Sequence, residues 1–179
     1  MKMIAKVHYN SQLNAVLIRG NGERVIVGDV DKNKPWYQRM FERLGYDQRG
    51  LVTDQGVADL TTDFTASGGL AVFKFHDSGT GTTPAAVTDT ALQTQAGPTT
   101  RATASSQTST GSSSTSPATM TSVGTINYTS TLAITEWGLF NQAAQGGHLW
   151  DHRVFSAINV VSGDSIQFTY TLSVASGGS

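Results

Sequence analysis

The sequence predicts a mainly β protein, an antiparallel β-sandwich of jelly-roll type with an N-terminal β-hairpin and one short α-helix. Three observations predict it. The 179 residues include nineteen glycines, many Ser and Thr, and only 14% charged residues, a composition of turns and short strands rather than of a helical bundle. The last long segment alternates strictly, with Ile166, Phe168, Tyr170, Leu172 and Val174 set between Ser165, Gln167, Thr169, Thr171 and Ser173. Turn clusters such as Ser162-Gly163-Asp164 punctuate the second half at the spacing of an antiparallel sandwich rather than of parallel βαβ units.

In chain order, the first element is the hairpin. Ala15–Arg19 and Glu23–Val27 are β-rich runs flanking Gly20-Asn21-Gly22, and Asn-Gly supplies the positive φ that a tight turn requires. Asn33-Lys34-Pro35 then starts a helix over residues 34–44, where Trp36, Tyr37, Met40, Phe41 and Leu44 fall on one face and Gly45 supplies the stop. Residues 1–50 read as a hairpin–helix docking region and residues 51–179 as the sandwich domain. Within the latter, Leu70–His76 has strand composition and runs into a polar loop, Asp77-Ser78-Gly79-Thr80-Gly81-Thr82-Thr83-Pro84. Further strands fit around 122–128, 131–140 and 148–155.

One segment stands apart. Sixteen of the twenty-four residues from Thr99 to Ser122 are Ser or Thr, and Arg101 carries the only charge. Such a tract buries too little apolar area to offset its ordering entropy, so it reads either as a mobile loop or as an extended arm that orders against a neighbouring subunit.

Charge is unevenly spread although the net is −1. Residues 1–50 hold nine basic against five acidic side chains, and residues 51–179 hold three against eight. The basic zone is interleaved with acids and too dilute for a phosphate footprint, so direct nucleic-acid binding is not expected; an acidic partner surface suits it better. The absence of cysteine removes disulfides, Cys-ligated metals and a cysteine nucleophile. No run reaches the roughly 18 apolar residues of a membrane span, and Met1–His8 breaks before a signal-peptide core forms.

The motifs of catalysis do not fit. There is no G-x-S-x-G elbow, no phosphate-binding P-loop and no G-x-G-x-x-G. Asp29-Val30-Asp31-Lys32-Asn33 begins like a calcium loop but has Lys34 where Gly is required and Met40 where Glu is required. On a strand, His148 and His152 stand about 13 Å apart at roughly 3.3 Å per residue, too far for one metal, so with Asp151 they read as a solvated polar patch. His76-Asp77 could be an orienting pair, but no nucleophile is tied to it by spacing. No catalytic residue, metal or cofactor is expected, and the chain reads as a non-enzyme.

Two stretches carry a family resemblance: Phe75–Leu92, and later Ile134-Thr135-Glu136-Trp137-Gly138-Leu139-Phe140-Asn141 leading to Leu149-Trp150-Asp151-His152-Arg153-Val154-Phe155 and to Gly163–Leu172. Together they resemble structural proteins of tailed bacteriophages, over roughly residues 50–179. The resemblance implies a virion component assembled in the bacterial cytoplasm. A capsid decoration, or cement, protein fits best: a small β protein bridging capsomers through the major capsid protein, assembled as a homotrimer that buries its strand edges. The alternative is a tail fibre, baseplate or other tail-associated protein contacting the host surface. Candidate interface residues are Arg19, Arg24, Trp36, Arg39 and Arg43 in the basic zone, and Arg101, Trp137, Trp150 and Arg153 beyond it. Trp137 and Trp150 suit a core, or carbohydrate stacking if loops expose them.

Overall fold

The structure, a computed structural model, describes residues 7–30, 51–54, 56, 73–96, 100–110 and 118–176. Ten strands are assigned: β1 (Val7–Ile18), β2 (Arg24–Asp29), β3 (Leu51–Val52), β4 (Phe75–Gly79), β5 (Ala102–Thr103), β6 (Ser106–Thr110), β7 (Ala118–Asn127), β8 (Leu132–Phe140), β9 (Leu149–Val160) and β10 (Ser165–Ser176). They form two antiparallel sheets, ordered β2-β1-β10-β7-β6 and β3-β9-β8-β4-β5, which pack face to face as the predicted sandwich. The helix expected over 34–44 lies outside the described residues.

The hairpin turns where the sequence places it. Gly22 takes φ +87°, its N–H donates to the Arg19 carbonyl at 2.8 Å, and the Asn21 side-chain oxygen accepts from the Glu23 N–H at 2.9 Å. The hairpin is not an appendage, however. β1 pairs with β10 over twelve residues, and Leu13, Ala15 and Leu17 enter the core. Residues 7–29 thus belong to the sandwich, because their apolar alternation matches the inner face of β10.

β10 follows its pattern. Ile166, Phe168, Tyr170 and Leu172 are buried and their neighbours half-buried. Against them, from the second sheet, stands Trp137, stacked on Tyr170 with ring centroids 5.5 Å apart and tilted on Phe168 at 6.2 Å. Phe155 meets Phe168 at 6.4 Å, and Phe73 meets Trp150 at 5.3 Å.

β8 does not alternate: Ile134 through Phe140 are all buried. Its inner face meets the first sheet, and its outer face is covered by a strap, residues 80–94, that leaves the end of β4 and crosses back over β8. The strap returns to β4 where Ala96 N–H donates to the Ser78 carbonyl at 3.0 Å and Gln95 bridges Gly79.

Two expected loops are strands. Asp77, Ser78 and Gly79, read as the start of a polar loop, continue β4 beside Gly138, Trp137 and Glu136. The Ser/Thr-rich tract is neither loop nor free arm over its described residues: β5 pairs with β4, and β6 pairs with β7 from Ser106↔Val123 to Thr110↔Thr119. Ladder hydrogen bonds satisfy the backbone there where apolar burial cannot.

Candidate functional site

Among the described residues, the buried side chains that carry chemistry collect in polar clusters, and the geometry of each says what it does. On the outer face of the second sheet, the Glu136 carboxylate accepts four hydrogen bonds. Oε1 takes the backbone N–H of Gly81 at 2.9 Å and of Thr94 at 2.8 Å, and Oε2 takes that of Gln93 at 2.9 Å and His152 Nε2 at 3.0 Å. The other ring nitrogen, Nδ1, meets the Asp89 carboxylate at 2.7 Å. Burial pushes the Glu136 carboxyl up, but His152 and the three N–H groups outweigh it and hold the group below its ordinary range. Burial likewise lowers His152, and the carboxylates of Glu136 and Asp89 override it and raise it. A buried imidazolium therefore sits between two carboxylates and bolts the strap to β8 and β9. Because both ring nitrogens donate, neither lone pair is left for a metal. The solvated patch expected around His148, His152 and Asp151 is corrected accordingly: His148 is half-buried, while His152 and Asp151 are buried and internally paired, His152 by Glu136 of β8 and Asp89 of the strap, Asp151 by Arg153 two residues along β9 and Ser11 of β1.

Between the sheets lies a second cluster. His76 Nε2 and Ser122 Oγ are 2.9 Å apart, and Trp137 Nε1–H donates to His76 Nδ1 at 3.3 Å. Indole nitrogen is only a donor, so Nδ1 accepts and the neutral ring carries its proton on Nε2, which donates to Ser122. Burial pushes His76 down to about 3, keeping it neutral. The pair has the wrong tautomer for a base acting on Ser122, and serves to join β4 to β7. Gly124 makes room for it, because a Cβ there would collide with the His76 ring. Ser78 and the Tyr128 hydroxyl, 2.9 Å apart, sit in the same layer.

The third and fourth clusters hold Arg153 and Arg101. Arg153 donates to both oxygens of Asp151 at 2.6 and 3.1 Å and to Ser11 Oγ at 2.7 Å, so it ties β9 to β1. Beside it, Trp150 Nε1–H donates to the Tyr170 hydroxyl at 2.9 Å. Arg101 lies 3.5 Å over the Phe140 ring and donates to Asp77 Oδ2 at 3.2 Å. It also donates to the carbonyls of Gln142, Ala144 and Gly146 at 3.1, 2.6 and 2.8 Å, and so organises the whole β8–β9 loop. Burial raises Asp77 to about 6 against the pull of Ser78 N–H and Arg101.

Of the nine candidate interface residues, Trp36, Arg39 and Arg43 lie outside the described residues. Arg101, Trp137, Trp150 and Arg153 are buried at 4, 0, 2 and 2% exposure and present nothing to a partner; each has a polar partner within the fold that drew it inward. Arg19 and Arg24 remain at the surface. Arg19 pairs with Asp164 at 2.7 Å and clips the first hairpin turn to the β9–β10 turn, and Arg24 reaches Gln167 at 3.3 Å.

The surface that sequence reasoning missed is the outer face of the first sheet. Its registers align hydroxyl and amide side chains in rows: Gln12, Thr171, Thr121 and Thr108 in one, and Asn10, Ser173, Thr119 and Thr110 in the next. The repeated Thr-x-Thr of Thr108/Thr110, Thr119/Thr121 and Thr169/Thr171 was the available signal. The rows end at β6, whose five residues are all exposed. No helix among the described residues is long and apolar enough to cross a membrane. The chain matches no protein-family model, no curated protein and no solved structure.

Proposed function

We propose that the chain is a structural protein of a tailed-phage virion, and specifically a capsid decoration protein that bridges capsomers by binding the major capsid protein. One observation carries the reading: among the described residues, the buried side chains capable of chemistry are spent on internal fasteners. Glu136, His152, His76, Arg101 and Arg153 each join two or more elements and are saturated by partners within the fold. This is the construction of a scaffold made to keep its shape. The stretches that resemble phage proteins fall on β4 with its strap, β8 and β9 of the second sheet and on β10 at the centre of the first, and they supply Glu136, His152, His76 and Arg153 of the fasteners. The uncharged hydroxyl face of the first sheet suits broad contact with a protein lattice.

A protein that binds only the assembled shell raises its heat stability by mass action. Calorimetry of expanded heads with and without added protein tests this. A concentration-dependent rise in the shell's melting temperature is the expected result. An unchanged shell, together with binding to host cells, would overturn the reading in favour of a tail component.

A further inference from the structure

The outermost strand of the first sheet points to an association site: we propose that β6 pairs antiparallel with β6 of a second copy of this chain, about a two-fold axis at Thr108. The two sheets have four edges. β3 and β5 are two residues long, and β2, although it exposes Val25 and Ile26, is bounded by the charges of Arg24 and Asp29 and interrupted by a bulge in its pairing with β1. β6, Ser106-Gln107-Thr108-Ser109-Thr110, has none of these protections among the described residues: it carries no charge or proline, pairs with β7 without a register shift, has no described strand on its other side, and is exposed along its whole length. Open edges of this kind recruit another strand, which is why monomeric proteins protect them.

The character of the edge selects the occupant. A strand facing its own copy across a two-fold axis meets its own charge, and β6 has none to repel. A charged peptide would find no counter-charge on it. Centred on Thr108, the pairing sets Ser106 opposite Thr110, Gln107 opposite Ser109, and Thr108 opposite its equivalent. Each hydroxyl-bearing residue then has a polar partner on its own face. The row Gln12, Thr171, Thr121, Thr108 continues across the axis into the same row of the second copy, giving one ten-stranded sheet. The two-fold contact uses one edge of each chain and closes, so it produces dimers rather than fibres. Five residues per copy are fewer than a standard interface uses, so the contact is weak in dilute solution and fills when copies are held close.

The absence of native cysteine makes the test clean. Directly opposed residues of an antiparallel pair hold their Cβ atoms about 4.5–5.5 Å apart, close to the geometry of a disulfide. Thr108→Cys in the full chain, oxidised with glutathione disulfide, is expected to form covalent dimer at least about tenfold faster than Val87→Cys on the exposed strap. Equal rates would overturn the proposal. In sedimentation velocity, Thr108→Lys and Thr108→Glu are each expected to abolish the self-association of the parent chain, and their mixture to restore it. A chain that stays monomeric at every concentration, or a trimer indifferent to lysine at 108, would also overturn it. Thermal unfolding by circular dichroism checks that the variants keep the fold. These readouts use no shells, so their failure and that of the decoration reading are distinguishable.

Discussion

Replacing Glu136 by Gln removes one oxygen from the most heavily used acceptor among the described side chains. The carboxylate takes four donors, two on each oxygen: Gly81 and Thr94 on Oε1, Gln93 and His152 on Oε2. Glutamine keeps one carbonyl oxygen, and so two of the four bonds, and turns an NH2 group toward the other two donors. A buried donor left without its acceptor costs about 1–3 kcal/mol, and breaking a buried ion pair costs about 3–5 kcal/mol. The two overlap because His152 belongs to both, so the expected loss is about 3–5 kcal/mol. Against a typical total of 5–15 kcal/mol, that is a large fraction. Urea unfolding reads the global loss, and hydrogen exchange of strap peptides reads the local one, with Gly81, Gln93 and Thr94 losing protection first. A loss under about 1 kcal/mol, with strap amides protected as in the parent, would refute the assignment of Glu136 as the fastener.

Three more predictions follow from the same clusters. Arg101→Lys exchanges a flat fork for a point charge that cannot reach Asp77, three loop carbonyls and the Phe140 ring together, and is expected to cost about 2–4 kcal/mol, read as a lower urea midpoint at unchanged m-value. Gly124→Ala drives a Cβ into the His76 ring and is expected to cost about 1–3 kcal/mol in chemical denaturation, although alanine is the better strand residue. Stability should also follow pH on both sides. His76 stays neutral in the fold down to about 3 while the unfolded chain protonates near 6.5, which removes stability on acidification at about 1.4 kcal/mol per pH unit. Asp77, raised to about 6 from 3.8, takes up a proton in the fold and offsets that loss between those values. The steep decline therefore falls below about pH 4, and Glu136, held below its ordinary range in the fold, adds to it because the unfolded chain takes up that proton first. On the alkaline side, the contribution of His152 is complete below 6.5 and is lost as pH rises through its raised folded value. Thermal midpoints measured across the pH range check both limbs.

The parts of the fold that were legible obey local rules. β10 has one wet face, so its alternation could be read directly, and the Asn21-Gly22 turn depends only on its own residues. β8 hid its character because the strap covers its outer face, and a strand covered on both sides does not alternate. Asp77 and Ser78 read as loop because their partners, Arg101 and Tyr128, are 24 and 50 residues away. His152 was judged against His148 along a single strand, whereas its partners stand on β8 and on the strap. A signal was present: Glu136 is a lone carboxylate inside the run Leu132–Phe140, and an acid in such a strand demands buried donors. The Ser/Thr tract was misread for a related reason. Its composition speaks to apolar area, but β6 is held by its ladder, by the Thr110–Thr119 hydroxyl contact and by the Gln107 amide on the Phe73 carbonyl at 3.3 Å.

The proposed role is tested most directly by co-sedimentation of the purified chain with expanded phage heads that lack it, counting bound copies per shell. A decoration protein saturates at a copy number fixed by the icosahedral lattice, and that number identifies the symmetry axis it occupies. Shells that sediment bare at saturating protein would contradict the capsid assignment.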